Sequence, residues 1–122
     1  MPVRNLGTTA DHVYNTTMTD VASPTIVSIP LAKAGRLIDG WCSIAAAVTT
    51  ANTIVSVLHG AVTIGTITVL FTGSASGSSY QLVLSGTEAQ CTFEPGEALI
   101  LNSDGGSSAV SAAVFSMVVR GL

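Results

Sequence analysis

Charge is what this chain has least of. Only 9% of its 122 residues are Asp, Glu, Lys or Arg, against about 25% in an ordinary globular domain. The cations Arg4, Lys33, Arg36 and Arg120 are scattered along the chain. Phosphate binding needs clustered cations that displace counterions, so nucleic acid is not expected as a direct partner. Histidine is as scarce. His12 and His59 stand far apart, and neither has a neighbour at metal-ligand spacing. The two cysteines, Cys42 and Cys91, also lack close companions, and they are expected as reduced, buried thiols acting as small hydrophobes. Long apolar runs are missing too. The longest, Ala109 to Val119, is interrupted by Ser111 and Ser116 and is about half a membrane span. No apolar signal core follows Met1-Pro2-Val3-Arg4-Asn5, so cytoplasmic synthesis without a leader is expected, with no membrane partner.

Catalytic patterns are equally thin. There is no Gly-x-Ser-x-Gly elbow to mark a serine nucleophile. Glu94 and Glu97 bracket Pro95-Gly96, where carboxylates suit an exposed turn better than an acid–base pair. Asp104-Gly105-Gly106 lacks the alternating oxygen ligands of a calcium loop. A jelly-roll enzyme of the cupin type would need a histidine cluster. The expectation is a non-enzyme with no catalytic residue, cofactor or metal.

What is present is strand grammar. Hydrophobic residues make up 48% of the chain, and Ser, Thr, Gly and Ala fill the space that charge leaves empty. The organising stretch is Phe93 to Ser108. Pro95-Gly96 suits the centre of a type II turn, Ala98 to Leu101 is a short strand, and Asp104-Gly105-Gly106 reverses the chain again. Other strands are expected at Thr25–Ile29, Arg36–Val48, Thr53–His59, Thr66–Phe71, Tyr80–Leu84, Gln90–Glu94 and Ala109–Arg120. No amphipathic helix competes with them. About eight short strands with Gly/Pro turns point to one all-β domain, residues 24–122, a jelly-roll-like antiparallel β-sandwich.

Residues 1–23 show no period of 2 or 3.6 and read as an extended N-terminal arm. Val3, Leu6, Val13, Tyr14 and Met18 are spaced along it as apolar anchors, with Arg4 and Asp11 as candidate charge partners. Val3, Arg4, Leu6 and Tyr14 are the candidate docking residues, since an extended peptide can add to a sheet edge or lie in a groove. The closing strand is apolar on both faces, which implies burial on both sides by the arm or by a neighbouring subunit. Trp41 points away from Ile38, Cys42 and Ile44. Trp41, Phe115 and Met117 are therefore the candidate subunit interface.

Five segments, in this order, resemble the head decoration (cement) proteins of tailed bacteriophages. They are Val27–Pro30, Gly35–Gly40, Thr50–Val57, Gly73–Gly77 and Phe93–Ser107. The resemblance covers roughly Thr25 to Leu122 and does not extend into the arm. It implies a homotrimer on the outside of a virion, bound to the major capsid protein at junctions of the shell and stabilising it. The alternative is a phage fibre or receptor-binding module, whose Gly73–Ser79 and Ser85–Ala89 loops would hold carbohydrate or a host protein. Trp41, Tyr14 and Tyr80 are its few candidate stacking aromatics.

Overall fold

A computed structural model describes residues 11–121. Its strands are β1 (Asp11–Met18), β2 (Pro24–Pro30), β3 (Gly35–Ile44), β4 (Thr53–His59), β5 (Val62–Val69), β6 (Ser79–Gln81), β7 (Val83–Leu84), β8 (Thr92–Phe93), β9 (Ala98–Asp104) and β10 (Ala113–Gly121). No helix occurs among the described residues, and hence none long and apolar enough to cross a membrane. Two antiparallel sheets of five strands each result, an arrangement that fits a β-sandwich. Sheet A runs β1-β10-β3-β6, with β8 also paired to β3; sheet B runs β2-β9-β4-β5-β7.

Alternation along the strands decides what enters the core. In β10, Ala113, Phe115, Met117 and Val119 are buried, while Val114 and Arg120 are exposed. In β9, Leu99, Leu101 and Ser103 are buried between outward Ile100 and Asn102. The two inner faces, with Phe93, Leu37, Ile44 and Ile67, form one apolar cluster. Burial of such side chains is the dominant favourable contribution to folding.

The turns of the organising stretch form as their residues dictate. The Glu97 N–H donates to the Glu94 carbonyl at 3.1 Å across Pro95-Gly96, and Gly96 takes φ 87°, as a type II turn requires. Gly105 sits at φ 68° against the Pro24 ring, where any Cβ would collide. Of the expected strands only Thr53–His59 keeps its bounds. β3 stops at Ile44 instead of Val48, β5 runs Val62–Val69 instead of Thr66–Phe71, and two further segments change more. The segment expected at Tyr80–Leu84 divides into β6 on sheet A and β7 on sheet B. The closing strand starts at Ala113 instead of Ala109, because 105–112 is a loop tied to its neighbours through Ser107, Ser108 and Ser111.

The largest departure is at the N-terminal side. Asp11–Met18 pairs with β10 without a break, from Asp11 opposite Arg120 to Met18 opposite Ala113. Met18 and Val21 are fully buried and Ala22 nearly so. Residues 11–22 thus belong to the sheet and its core instead of to an extended arm. The connection is fastened by Asp20. Its carboxylate accepts from the N–H groups of Ala22 (3.0 Å) and Ser111 (3.1 Å) and from the Ser23 hydroxyl (2.9 Å). Burial raises the Asp20 carboxyl, but these donors outweigh it and leave the group below its usual range. A carboxyl lowered on folding stabilises above its unfolded-state titration and loses that contribution as pH falls through the folded one. Asp20→Asn is therefore expected to flatten the acid limb of the stability–pH curve, read by urea unfolding between pH 2 and 6 (~ the range where carboxylates titrate). An unchanged acid limb would remove Asp20 from the account.

One inward hydroxyl is left alone. Thr53 Oγ1 is buried and is the one buried side-chain oxygen or nitrogen without a partner among the described residues. Thr53→Val keeps the shape and removes the unpaired group, so it is expected to raise unfolding free energy by about 1 kcal/mol. Denaturant titration of the two proteins checks this.

Candidate functional site

The register of sheet A builds its outer surface in rows. Val13, Val118 and Asp39 form one; Asn15, Ser116, Trp41 and Gln81 the next; Thr17, Val114, Ser43 and Ser79 the third. Val13 is 59% exposed, Val114 48% and Trp41 44%, so the apolar groups of this surface face outward. Some of its polar groups bond one another or the backbone. The Ser116 hydroxyl donates to Asn15 Oδ1 at 2.7 Å, and Asp39 Oδ1 accepts from the Gly40 N–H and Gln81 Nε2. Asp39 is the sole ionisable residue in these three rows.

Phe115 and Met117, expected at an interface, are fully buried within the subunit. They lie on the inward face of β10, so the exposed apolar residues of that strand are Val114 and half-buried Val118. Trp41 does stand on the surface. β1 lies beside β10 in the same sheet and so does not cover its outer face. Val13 reads in the sequence as an anchor of the arm because β1 shows no hydrophobic period, and Val114 is passed over for Phe115 and Met117 because the closing strand is apolar on both faces.

The expected docking residues divide. Val3, Arg4 and Leu6 lie outside the described residues. Tyr14 is half-buried and packs against the core cluster from the inward side of β1. Asp11, a candidate partner for Arg4, is bound to Arg120 at 3.0 Å. That guanidinium holds the Asp11 carboxyl below its usual range and is itself raised.

Charge is sorted by end. The end that carries the 31–34, 60–61, 85–91 and 94–97 connections holds Lys33, Arg36, Glu88, Glu94, Glu97, Arg120 and Asp11. The opposite end holds Asp20 and Asp104, both bound to backbone N–H groups. Its loops 45–52, 70–78 and 105–112 carry no charged side chain and are rich in hydroxyls. Thr50 is held there at φ 82°, a strained region for a β-branched residue, with its hydroxyl 2.6 Å from that of Ser108. Leu70, Phe71 and Val110 are exposed at this end.

At the charged end an open groove of about 540 Å³ lies beside His59, Val62, Ala89, Glu97 and Ile100. In the sequence His59 stands isolated. In the fold its ring stacks on Phe93 with centroids 4.0 Å apart; Nδ1 is 2.8 Å from the Gln90 carbonyl and Nε2 3.2 Å from Glu97. Glu97 also accepts from the Glu94 N–H at 2.6 Å; that bond first, then His59, lowers its carboxyl. These bonds brace the turn at 94–97. Among the described residues no group of three or more His, Cys, Asp or Glu side chains is placed to hold a metal ion.

Both cysteines are free and buried. Burial pushes the Cys42 thiol up to about 12 and raises Cys91, which Arg36 partly offsets. Cys42 should carry roughly a thousandth of an exposed thiol's thiolate at neutral pH. Native protein is expected to resist iodoacetamide at Cys42 for hours, whereas unreduced, denatured protein is labelled at both sites. Rapid native labelling of Cys42 would contradict this burial. No family model, characterised protein or solved structure matches this chain.

Proposed function

We propose that this protein is a capsid decoration (cement) protein of a tailed bacteriophage, a jelly-roll subunit that trimerises and binds the outer surface of the head. The observation that carries the reading is the outer face of sheet A, where Trp41, Val13, Val114 and Val118 stand exposed or half-exposed among neutral hydroxyls and amides. A chain with so little charge needs partners for such surfaces, and copies of itself and a shell lattice both supply them. The strand orders support the jelly-roll assignment. Successive strands β1, β2 and β3 alternate between sheets, and β9 and β10 return between them, as two Greek keys would. Decoration stabilises a shell by mass action when the expanded form is bound better than its precursor. Several contacts per trimer would add avidity.

Val3, Arg4 and Leu6 are the proposed docking residues, and the major capsid protein is the proposed partner. The test incubates purified protein with empty expanded heads, with unexpanded precursors and, separately, with a glycan panel. Saturable binding to expanded heads with raised resistance to heat supports the reading. Binding only to glycans would replace it with the receptor-binding module, and binding to neither would overturn both.

A further inference from the structure

The two sides of the sandwich are finished differently. On one side the chain itself crosses between the sheets. Residues 79–84 pass from β6 on sheet A to β7 on sheet B through buried Leu82, whose N–H donates to the Gly40 carbonyl at 2.8 Å. The strands left outermost there are short: β6 has 3 residues, β7 and β8 have 2 each. On the other side lie two full-length edges, β2 of sheet B and β1 of sheet A. β2 begins at Pro24 and ends at Pro30, and proline supplies no donor for a further ladder. β1 has no such protection. It offers 8 residues in unbroken register, with no proline, no lysine and no bulge.

An edge of this kind presents alternating N–H and C=O groups at strand spacing, a pattern that another strand complements along its whole length. The described residues contain one such edge per chain. Pairing between copies through this edge on both makes the contact isologous and closed at two. The side chains permit it. Outward Asp11, Val13, Asn15 and Thr17 alternate with inward His12, Tyr14, Thr16 and Met18. Two-fold antiparallel pairing keeps same-face residues opposite one another when it centres on Tyr14 or on Asn15. Centred on Tyr14, Val13 meets the partner's Asn15; centred on Asn15, Val13 meets the partner's Thr17. The one carboxylate of the strand, Asp11, lies at its end and is already bound to Arg120. Neither register sets like charges against each other.

We propose that β1 is a self-association edge, through which two copies pair antiparallel about a two-fold axis and join their A sheets into one. The contact does not rest on the capsid reading, and a two-fold edge cannot close a three-fold ring. One strand pair buries less than a standard interface, so the association is weak and shows at high protein concentration.

The test is a charge swap read by sedimentation equilibrium on the full chain in a Trp41→Ala background, which removes the proposed three-fold contact. The parent protein is expected to reach the mass of two chains as concentration rises. Val13→Lys with Asn15→Lys opposes like charges in either register and is expected to hold the protein at the mass of one chain. Val13→Glu with Asn15→Glu should do the same, and an equimolar mixture of the two variants should recover the two-chain mass. A parent that stays at one chain, a lysine variant that pairs as well as the parent, or a mixture that fails to recover each overturns the proposal. Failure of the trimer reading would instead appear as an unchanged oligomer when Trp41 alone is replaced.

Discussion

Phe115→Ala is expected to lower the unfolding free energy by about 3–5 kcal/mol, the usual loss when a fully buried aromatic is cut to a methyl. Its ring is inaccessible and lies on the inner face of β10 between the two sheets. Truncation there removes apolar contacts from both sheets at once and leaves a cavity that backbone held on both sides by β1 and β3 cannot close. Met117→Ala should act in the same way, by about 2–5 kcal/mol. Trp41→Ala makes the opposite case. The side chain is 44% exposed on the outer face, so folding should change by less than about 1 kcal/mol while self-assembly weakens by about 2 kcal/mol or more. Chemical denaturation and sedimentation of the three variants separate these outcomes. Equal losses of stability in Phe115→Ala and Trp41→Ala would place Trp41 in the core and remove the outer face of sheet A as an interface.

The contrast between these residues shows what was legible in the sequence. Phe115 and Trp41 sit on strands whose alternation is visible in the chain, and the existence of β3, β4, β9 and β10 followed from it. On β3 the alternation also separates outward Trp41 from inward Cys42 and Ile44, but which side of β10 met the core did not follow. β10 is apolar at Val114 and Val118 as well as at Phe115 and Met117, and only pairing with β1 and β3 decides which set points inward. The turns were the most readable feature, because Pro95-Gly96 and Asp104-Gly105 impose backbone angles through their own chemistry. The His59 site was not readable. Its partners Phe93, Gln90 and Glu97 come from segments more than thirty residues away, joined by the folding of two connections at one end.

β1 was missed for a different reason. Edge strands need few buried side chains, and Asp11-His12-Val13-Tyr14-Asn15-Thr16-Thr17-Met18 buries only Met18 completely. Polar residues on both faces erase the hydrophobic period that marks an inner strand. A local signal was nevertheless present at Asp20. A side chain that accepts from the N–H two residues on is an ordinary turn former, and Asp20 does this with Ala22. A turn at that point, followed by Pro24, implies that the preceding segment enters the fold instead of trailing from it.

Two truncations draw the consequence for function. Deleting residues 1–10 leaves every described strand whole, so the protein is expected to fold, with a denaturation midpoint close to that of the full chain. Deleting residues 1–22 removes β1, the pairing of eight residues with β10, the fully buried Met18 and Val21, and the Asp20 contacts to Ser111. Two lost apolar side chains at about 1.5–3 kcal/mol each, with a bared sheet edge, approach the whole stability of a domain this size, about 5–15 kcal/mol. That deletion is expected to give insoluble or unfolded protein, read by circular dichroism and by recovery from lysate. The shorter deletion then isolates docking from folding. It removes Val3, Arg4 and Leu6 alone among the proposed contacts, and loss of binding to expanded heads by a folded 11–122 protein would assign docking to them. Unchanged binding would transfer docking to the sandwich, with the outer face of sheet A as the first surface to alter. A 23–122 protein that folded as well as the full chain would show that β1 contributes nothing to the core.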